Sequence, residues 1–249
     1  MGRAHLLDII VKTADAGRMR YPGGKGKTYQ HLINLMPPHE VYIECFLGGG
    51  SVLRNKKPAR ESIGIDLDER AIAACEHIRD TVPALSLVQQ DALKFLRGYA
   101  FQGHELVYAD PPYLARTRRG GRLYRHEYTD EQHVELLDVL CELPCAVLIS
   151  GYDSPLYRSR LVGWRHATFR AKTHVDVREE SVWMNYPVPE TLHDARFLGG
   201  SFRERQQIQR RLATLRRRVC AMPAPERSEF MRWLNEHFRQ REDTCSTLA

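Results

Sequence analysis

Val41-Tyr-Ile-Glu-Cys-Phe-Leu-Gly-Gly-Gly-Ser-Val52 is an apolar run that breaks directly into three glycines. It reads as a buried strand ending in a tight turn, and glycines there let a ligand come close to the backbone. A turn of this kind, at the carboxyl end of a first strand, is where doubly wound α/β folds hold nucleotides. Six more short apolar segments read as strands: 62–65, 85–88, 105–109, 146–150, 165–169 and 181–186. Helical spacing fills several of the gaps. Residues 27–36 carry Leu32, Leu35 and Met36, and residues 68–80 carry Ile72, Cys75 and Ile78. Residues 129–140 open on Thr129-Asp-Glu-Gln132, a capping box, and continue with Val134, Leu137 and Leu140. This alternation predicts an α/β fold, a mostly parallel doubly wound sheet wrapped by helices. No clear helix separates the last strands, so the sheet is expected to end antiparallel.

Composition agrees with one such domain plus an appendage. The chain has 249 residues, 43% of them apolar and 27% charged, ample for a buried core. A net charge of +6 permits a polyanion partner without demanding one. No run nears the ~18 apolar residues of a membrane span, and the N-terminus has no secretory signal pattern. Six scattered cysteines, at 45, 75, 141, 145, 220 and 245, form no CxxC pair, which argues for reduced thiols, a cytoplasmic setting and no zinc site. After about residue 196 the composition changes. A glycine-containing hinge leads into a basic helix with Ile208, Leu212, Leu215 and Val219 on one stripe. After Pro223 and Pro225, a second helix of about 226–241 carries Phe230, Trp233, Leu234 and Phe238. The division expected is residues 1–196 as a catalytic domain and 197–249 as a basic helical hairpin. Between Arg203 and Arg218 stand seven arginines and one acid, Glu204. That helix either docks its stripe and leaves the arginines in water, extends a nucleic-acid track, or pairs two chains.

Three further stretches carry chemistry. Arg20-Tyr-Pro-Gly-Gly-Lys-Gly-Lys-Thr28 ends like a P-loop, but the first glycine of that motif would fall on Tyr21 and no apolar strand precedes it. Ser62-Ile-Gly-Ile-Asp66-Leu-Asp68 is a second strand ending in an acid, 16 residues after Gly50. Its carboxylate suits a ribose diol, which fits NAD and S-adenosylmethionine equally; capping the next helix is the plainer role for Asp66. Leu106-Val-Tyr-Ala-Asp110-Pro-Pro-Tyr113 ends a fourth strand in an acid, two prolines and an aromatic. Two prolines fix two φ angles and delete two donors, leaving a rigid turn with the Asp110 carboxylate and the Pro111 carbonyl as acceptors. An amine gripped by two acceptors directs its lone pair away from them, toward an electrophile, and Tyr113 offers a flat face to a base.

Taken in order, these motifs resemble the Dam-type DNA adenine methyltransferases. The resemblance extends through His126-Glu-Tyr-Thr-Asp-Glu-Gln132, Leu148-Ile-Ser-Gly-Tyr-Asp153 and Ser181-Val-Trp-Met-Asn-Tyr-Pro187, covering about residues 18–190. It implies a Rossmann-like SAM-dependent methyltransferase fold, S-adenosylmethionine as methyl donor, no metal, and double-stranded DNA as partner. It also implies roles for particular residues. Asp110, Pro111, Pro112 and Tyr113 match the catalytic motif. Tyr21 and Lys25 match a cofactor-contacting motif, with Tyr21 where the family usually has tryptophan, and Lys25 suited to the methionine carboxylate. Glu44, Phe46, Gly48 and Gly50 match the glycine motif, with Cys45 where proline is usual. Asp66 matches the ribose-binding acid, and Asp91 is expected near the adenine ring of the cofactor.

One departure matters. Family members with a short defined target usually carry a recognition insert between the third and fourth strands. Here about twenty residues separate Asp91 from Asp110, and 94–103 must bridge them. The replacement expected is Arg116-Thr-Arg-Arg-Gly-Gly-Arg-Leu-Tyr-Arg-His126, with five arginines in eleven residues and no acid. Arg116, Arg118, Arg119, Arg122 and Arg125 are its candidate phosphate contacts. Methylation of a cytosine 4-amino group, which needs the same acceptor pair, and methylation of RNA adenine remain open alternatives. A non-catalytic nucleic-acid-binding module is disfavoured by the intact Asp110–Tyr113 motif, and an NAD oxidoreductase by the lack of hydride chemistry there.

Overall fold

The computed structural model describes residues 28–117, 125–172 and 177–245. Seven strands form one sheet: β1 (Val41–Cys45), β2 (Glu61–Asp66), β3 (Leu85–Gln89), β4 (Glu105–Ala109), β5 (Ala146–Gly151), β6 (Arg165–Lys172) and β7 (Val177–Met184), in the order β3-β2-β1-β4-β5-β7-β6. The first five are parallel, and β7 runs antiparallel between β5 and β6. This is the Rossmann-like α/β arrangement expected, antiparallel end included. The order reverses between β1 and β4, which makes that crevice the switch point at which such sheets bind ligands.

Both central strands are buried along their whole length, as strands covered on two faces should be. Alternate residues of β1 feed opposite cores. Val41, Ile43 and Cys45 pack with Leu93 and Leu96 of α4 (Ala92–Gly98) and with Leu136, Leu137 and Leu140 of α5 (Asp130–Glu142). Tyr42 faces the other way, among Leu32 and Ile33 of α1 (Tyr29–Ile33), Val52 and Leu53 of α2 (Ser51–Asn55), and Ile78. Ile78 lies on the 3-10 turn Glu76–Asp80 that tightens the end of α3 (Glu69–Cys75), so the 68–80 helix expected is α-helical only in its first half.

The capping box of α5 is present. Thr129 Oγ1 accepts from the Gln132 N–H at 3.3 Å, and the Gln132 side chain accepts from the Thr129 N–H at 2.9 Å. The last short helix of this part, α6 (Pro155–Arg160), has Ser154 as its cap and proline in its first turn. Strand β7 stops before Asn185, whose side chain replaces the ladder. Its Oδ1 accepts from Val147 N–H at 2.7 Å and its Nδ2 donates to the Cys145 carbonyl at 2.8 Å. The span 94–103, expected as a plain bridge, begins inside α4.

The chain divides into two compact units, one up to Phe197 and one from Leu198. The second unit holds α7 (Phe202–Ala221) and α8 (Ala224–Cys245). Leu212, Leu215, Met231, Trp233 and Phe238 are all exposed there. Pro225 does not end a helix but lies in the first turn of α8, where its missing N–H costs nothing. No helix among the described residues is long and apolar enough to cross a membrane.

Candidate active site

The carboxyl ends of β1, β2, β3 and β4 converge on the switch point. From β1 the chain turns sharply. Leu47 N–H reaches the Ile65 carbonyl at 2.9 Å, and Gly50 N–H closes onto the Leu47 carbonyl at 2.8 Å. Phe46, Gly48 and Gly50 all have positive φ, at 61°, 51° and 56°. A side chain at Gly50 is excluded twice. Its φ disfavours an L residue, and a Cβ would stand 2.7 Å from Ile78 Cδ1 and 3.1 Å from Cys75 Sγ. Gly50 thus serves close packing of the turn on α3 and the 3-10 turn that follows it. Phe46 has no such exemption; a non-glycine residue in this region marks local strain of the kind that collects at binding sites.

Asp66, at the end of β2, is tied into this turn. Its Oδ2 accepts from Gly48 N–H at 2.7 Å and its Oδ1 from Asp68 N–H at 2.8 Å. Burial raises its pKa, and these two bonds oppose that. The residue that caps α3 is Asp68, through Arg70 N–H at 3.1 Å, so the plainer capping role considered for Asp66 belongs to its neighbour. Asp91 caps α4 through Lys94 N–H at 3.0 Å, and its other oxygen lies 3.5 Å from the Tyr128 hydroxyl. The Tyr128 ring meets Phe46 edge-on at 5.2 Å. Glu44 lies beneath the turn, 3% exposed, and accepts from the Tyr42 hydroxyl at 2.8 Å. Burial pushes its carboxyl up to about 8, with the Asp110 charge adding to the shift and Lys56 opposing it. Lys56 is itself buried against the Tyr42 ring, its ammonium 4.2 Å from the centroid, and desolvation lowers it to about 7.

Asp110 follows β4. Its N–H approaches the Cys45 carbonyl at 3.4 Å, so the acidic turn stands beside the glycine turn. Ser150 Oγ donates to Asp110 Oδ1 at 2.7 Å, and the same hydroxyl shares a hydrogen bond with Tyr108 at 3.0 Å. The register explains the contact: Ala109 pairs with Ile149, which sets residues 110 and 150 side by side at the strand ends. Pro111 is buried and Pro112 half-buried. Tyr113 is 8% exposed, with its ring 4.6 Å from Tyr152 at 70°. Sequence reasoning did not single out Ser150, Tyr128 or Tyr152; the only signal was that each lies in a segment matching the family order.

Of the arginines expected to clamp phosphate, Arg116 is 3.4 Å from Asp130, and Arg125 donates to Asp68 Oδ1 at 2.9 Å. The segment itself has no acid, yet the buried Asp68 engages Arg125, while Arg116 stays half-exposed beside an equally exposed Asp130. Arg118, Arg119 and Arg122 lie outside the described residues, as do Tyr21 and Lys25.

Residues 21–93 match the family model of D12 class N6 adenine-specific DNA methyltransferases. The match supports the Dam-like adenine methyltransferase resemblance, and methyl transfer as the chemistry. No curated protein sequence matches the chain. Similar solved structures include the N-methyltransferase NodS from Bradyrhizobium japonicum, with 12% identity, TM-score 0.47, and coverage of 66% of this chain and 96% of that one. Magnesium protoporphyrin IX methyltransferase from Synechocystis shares 12% identity at TM-score 0.45, covering 64% of this chain and 82% of that one. TrmN from Thermus thermophilus shares 15% at TM-score 0.45, covering 63% of this chain and 46% of that one.

Proposed function

We propose that this chain transfers the methyl group of S-adenosylmethionine to the 6-amino group of adenine in double-stranded DNA. The observation that carries the reading is the Asp110-Pro-Pro-Tyr113 turn, its carboxylate gripped by Ser150, beside a strained glycine turn at the switch point. The residues at that turn suit the cofactor. Ser51 Oγ, directly after the glycines, is buried with no hydrogen-bond partner. Asp66 spends two of its roughly four lone-pair sites on backbone N–H groups, leaving acceptors for a ribose diol. Phe46, Gly48, Gly50, Asp66 and Asp91 would hold the adenosine moiety, with Tyr21, Lys25 and Glu44 completing the set. When bound, the cofactor supplies an electrophilic methyl on a sulfonium.

The protein's part is positional. An adenine in a duplex must leave the stack, at a cost of a few kcal/mol. The Asp110 carboxylate and the Pro111 carbonyl then accept from its 6-amino group and aim the nitrogen lone pair at the methyl. Tyr113 supports the flipped ring. Holding the reactants in line supplies much of the rate, and acceptors facing the charge that develops on nitrogen supply more. The N–C bond would form as the S–C bond breaks, S-adenosylhomocysteine leaving as a neutral thioether. The amine's proton would pass to Asp110 or to water as or after the methyl arrives, so Asp110 needs to accept a hydrogen bond rather than be a strong base. The Arg116, Arg118, Arg119 and Arg122 segment, next in sequence, would clamp phosphates; Arg125 serves Asp68 instead.

Incubating the protein with unmethylated plasmid and S-adenosylmethionine, then hydrolysing the DNA for nucleoside mass spectrometry, tests this. N6-methyladenine is the expected product. N4-methylcytosine, or methylation of RNA alone, would replace the reading.

A further inference from the structure

Helix α7 has two chemically distinct sides. At 3.6 residues per turn, Arg203, Arg210, Arg211, Arg217 and Arg218 fall within an arc of about 120°. Ile208, Leu212, Leu215 and Val219 fall within a separate arc of about 60°. All five arginines of the stripe are exposed. Among the described residues none of them makes an ion pair, whereas Arg232 of α8 is matched by Glu229 at 2.7 Å and Glu236 at 3.6 Å. An exposed helix that only needs solubility tends to interleave opposite charges at i,i+4, as α8 does. The α7 stripe instead gathers like charges along fifteen residues of rise, about 22 Å. A polyanion relieves that repulsion, and duplex DNA carries about one charge per 1.7 Å of axis, more than enough to meet every arginine.

We infer that the arginine stripe of α7 is a docking surface for the phosphate backbone of double-stranded DNA, additional to the catalytic turn. The inference rests on DNA being the substrate, and it supplies contacts that the missing recognition insert cannot. An anionic lipid surface is the other polyanion that suits an amphipathic basic helix. It is disfavoured because the apolar arc is narrow and only two of its four residues, Leu212 and Leu215, are exposed, Ile208 and Val219 being half-buried.

The test measures the salt dependence of duplex binding by the full-length protein. Arg210→Gln and Arg217→Gln should each lower the log–log slope by about one unit, and together by about two. Arg216→Gln removes the same charge one residue from Arg217 but about 100° around the helix, and should leave the slope unchanged. Glutamine keeps nearly the helix propensity of arginine, and far-UV circular dichroism checks that the helix persists. Equal effects at 216 and 217, or none from the double variant, overturn the stripe. So does a double variant that loses binding to phosphatidylserine vesicles while its DNA slope stays intact. A wild-type protein that binds duplex through the stripe yet makes no N6-methyladenine would sink the proposed function and leave this inference standing.

Discussion

Replacing Ser150 by alanine removes one hydroxyl from the series that links Tyr108, Ser150 and Asp110. The bond it deletes is short, 2.7 Å from Ser150 Oγ to Asp110 Oδ1. Hydrogen bonds to a charged partner contribute about 1.5–3 kcal/mol. If the bond aims the carboxylate in the transition state, losing it should lower kcat about ten- to a hundred-fold, at roughly tenfold per 1.4 kcal/mol. The residues proposed to hold the cofactor lie before β1 and around the carboxyl ends of β1, β2 and β3, so affinity for S-adenosylhomocysteine by calorimetry should stay within about twofold, well under 1 kcal/mol. Tyr108→Phe is the control. It removes the 3.0 Å contact on the far side of Ser150 but leaves the Ser150–Asp110 bond, so its kcat should fall less. Single-turnover transfer of radiolabelled methyl to DNA reads the chemical step directly. A Ser150→Ala enzyme that transfers methyl at the wild-type rate, or one that loses cofactor affinity and turnover together, would refute the positioning argument.

Asp110→Ala should abolish methyl transfer and leave S-adenosylhomocysteine binding largely intact; near-normal turnover would displace the catalytic turn. Gly50→Ala combines a left-handed backbone cost of about 1–2 kcal/mol with overpacking against Ile78 and Cys75 of about 1–3 kcal/mol. Urea denaturation should show that loss, and an unchanged midpoint would mean that the turn relaxes freely. Burial holds the Glu44 carboxyl up at about 8 in the folded chain, against an ordinary value near 4.5. Unfolding therefore releases its proton between those values, and stability falls as pH rises through that window, by up to a few kcal/mol. Glu44→Gln should flatten that slope between pH 5 and 8, and parallel pH profiles would contradict it. Lys56, lowered to about 7, acts in the opposite sense above that pH. Replacing Arg116, Arg118 and Arg119 with alanine should weaken DNA binding and flatten its salt dependence by about one unit per lost phosphate contact, as read by anisotropy titration; an unchanged slope would remove that segment from the interface.

The parallel strands were legible because each is a short run rich in apolar residues, whereas β6 (RHATFRAK) shows only the alternation of Ala167, Phe169 and Ala171. Six of the seven start within a residue of the expected position; β7 begins four residues early, in the polar stretch before Ser181. The helices α2, α4 and α6 escaped because five to seven residues are too few for a 3.6-residue period to show; α1 and α3 are no longer, but their apolar spacing runs on into the turns that follow them. The two acids after β2 show a different limit. Asp66 and Asp68 look interchangeable in sequence, and only the backbone path of the glycine turn decides that one binds Gly48 N–H and the other caps a helix. Ser150 is an unremarkable serine until the β4–β5 register sets it beside Asp110. Nothing in the arginine-rich segment announces that Arg125 has Asp68 as partner, because that acid lies 57 residues away.

The two backbone bonds to Asp66 constrain what evolution or an engineer can write at that position. Both N–H groups belong to turns, one after β1 and one after β2, and the single carboxylate is the knot between them. Asparagine has nearly the same shape, but one of its two terminal atoms is a donor. Whichever way the amide is flipped, an NH₂ faces a backbone N–H. One turn must let go, and the loop released is either the glycine turn or the start of α3. The carboxylate is therefore already aimed before any ligand arrives, and its aim and the folding of two loops depend on the same two oxygens.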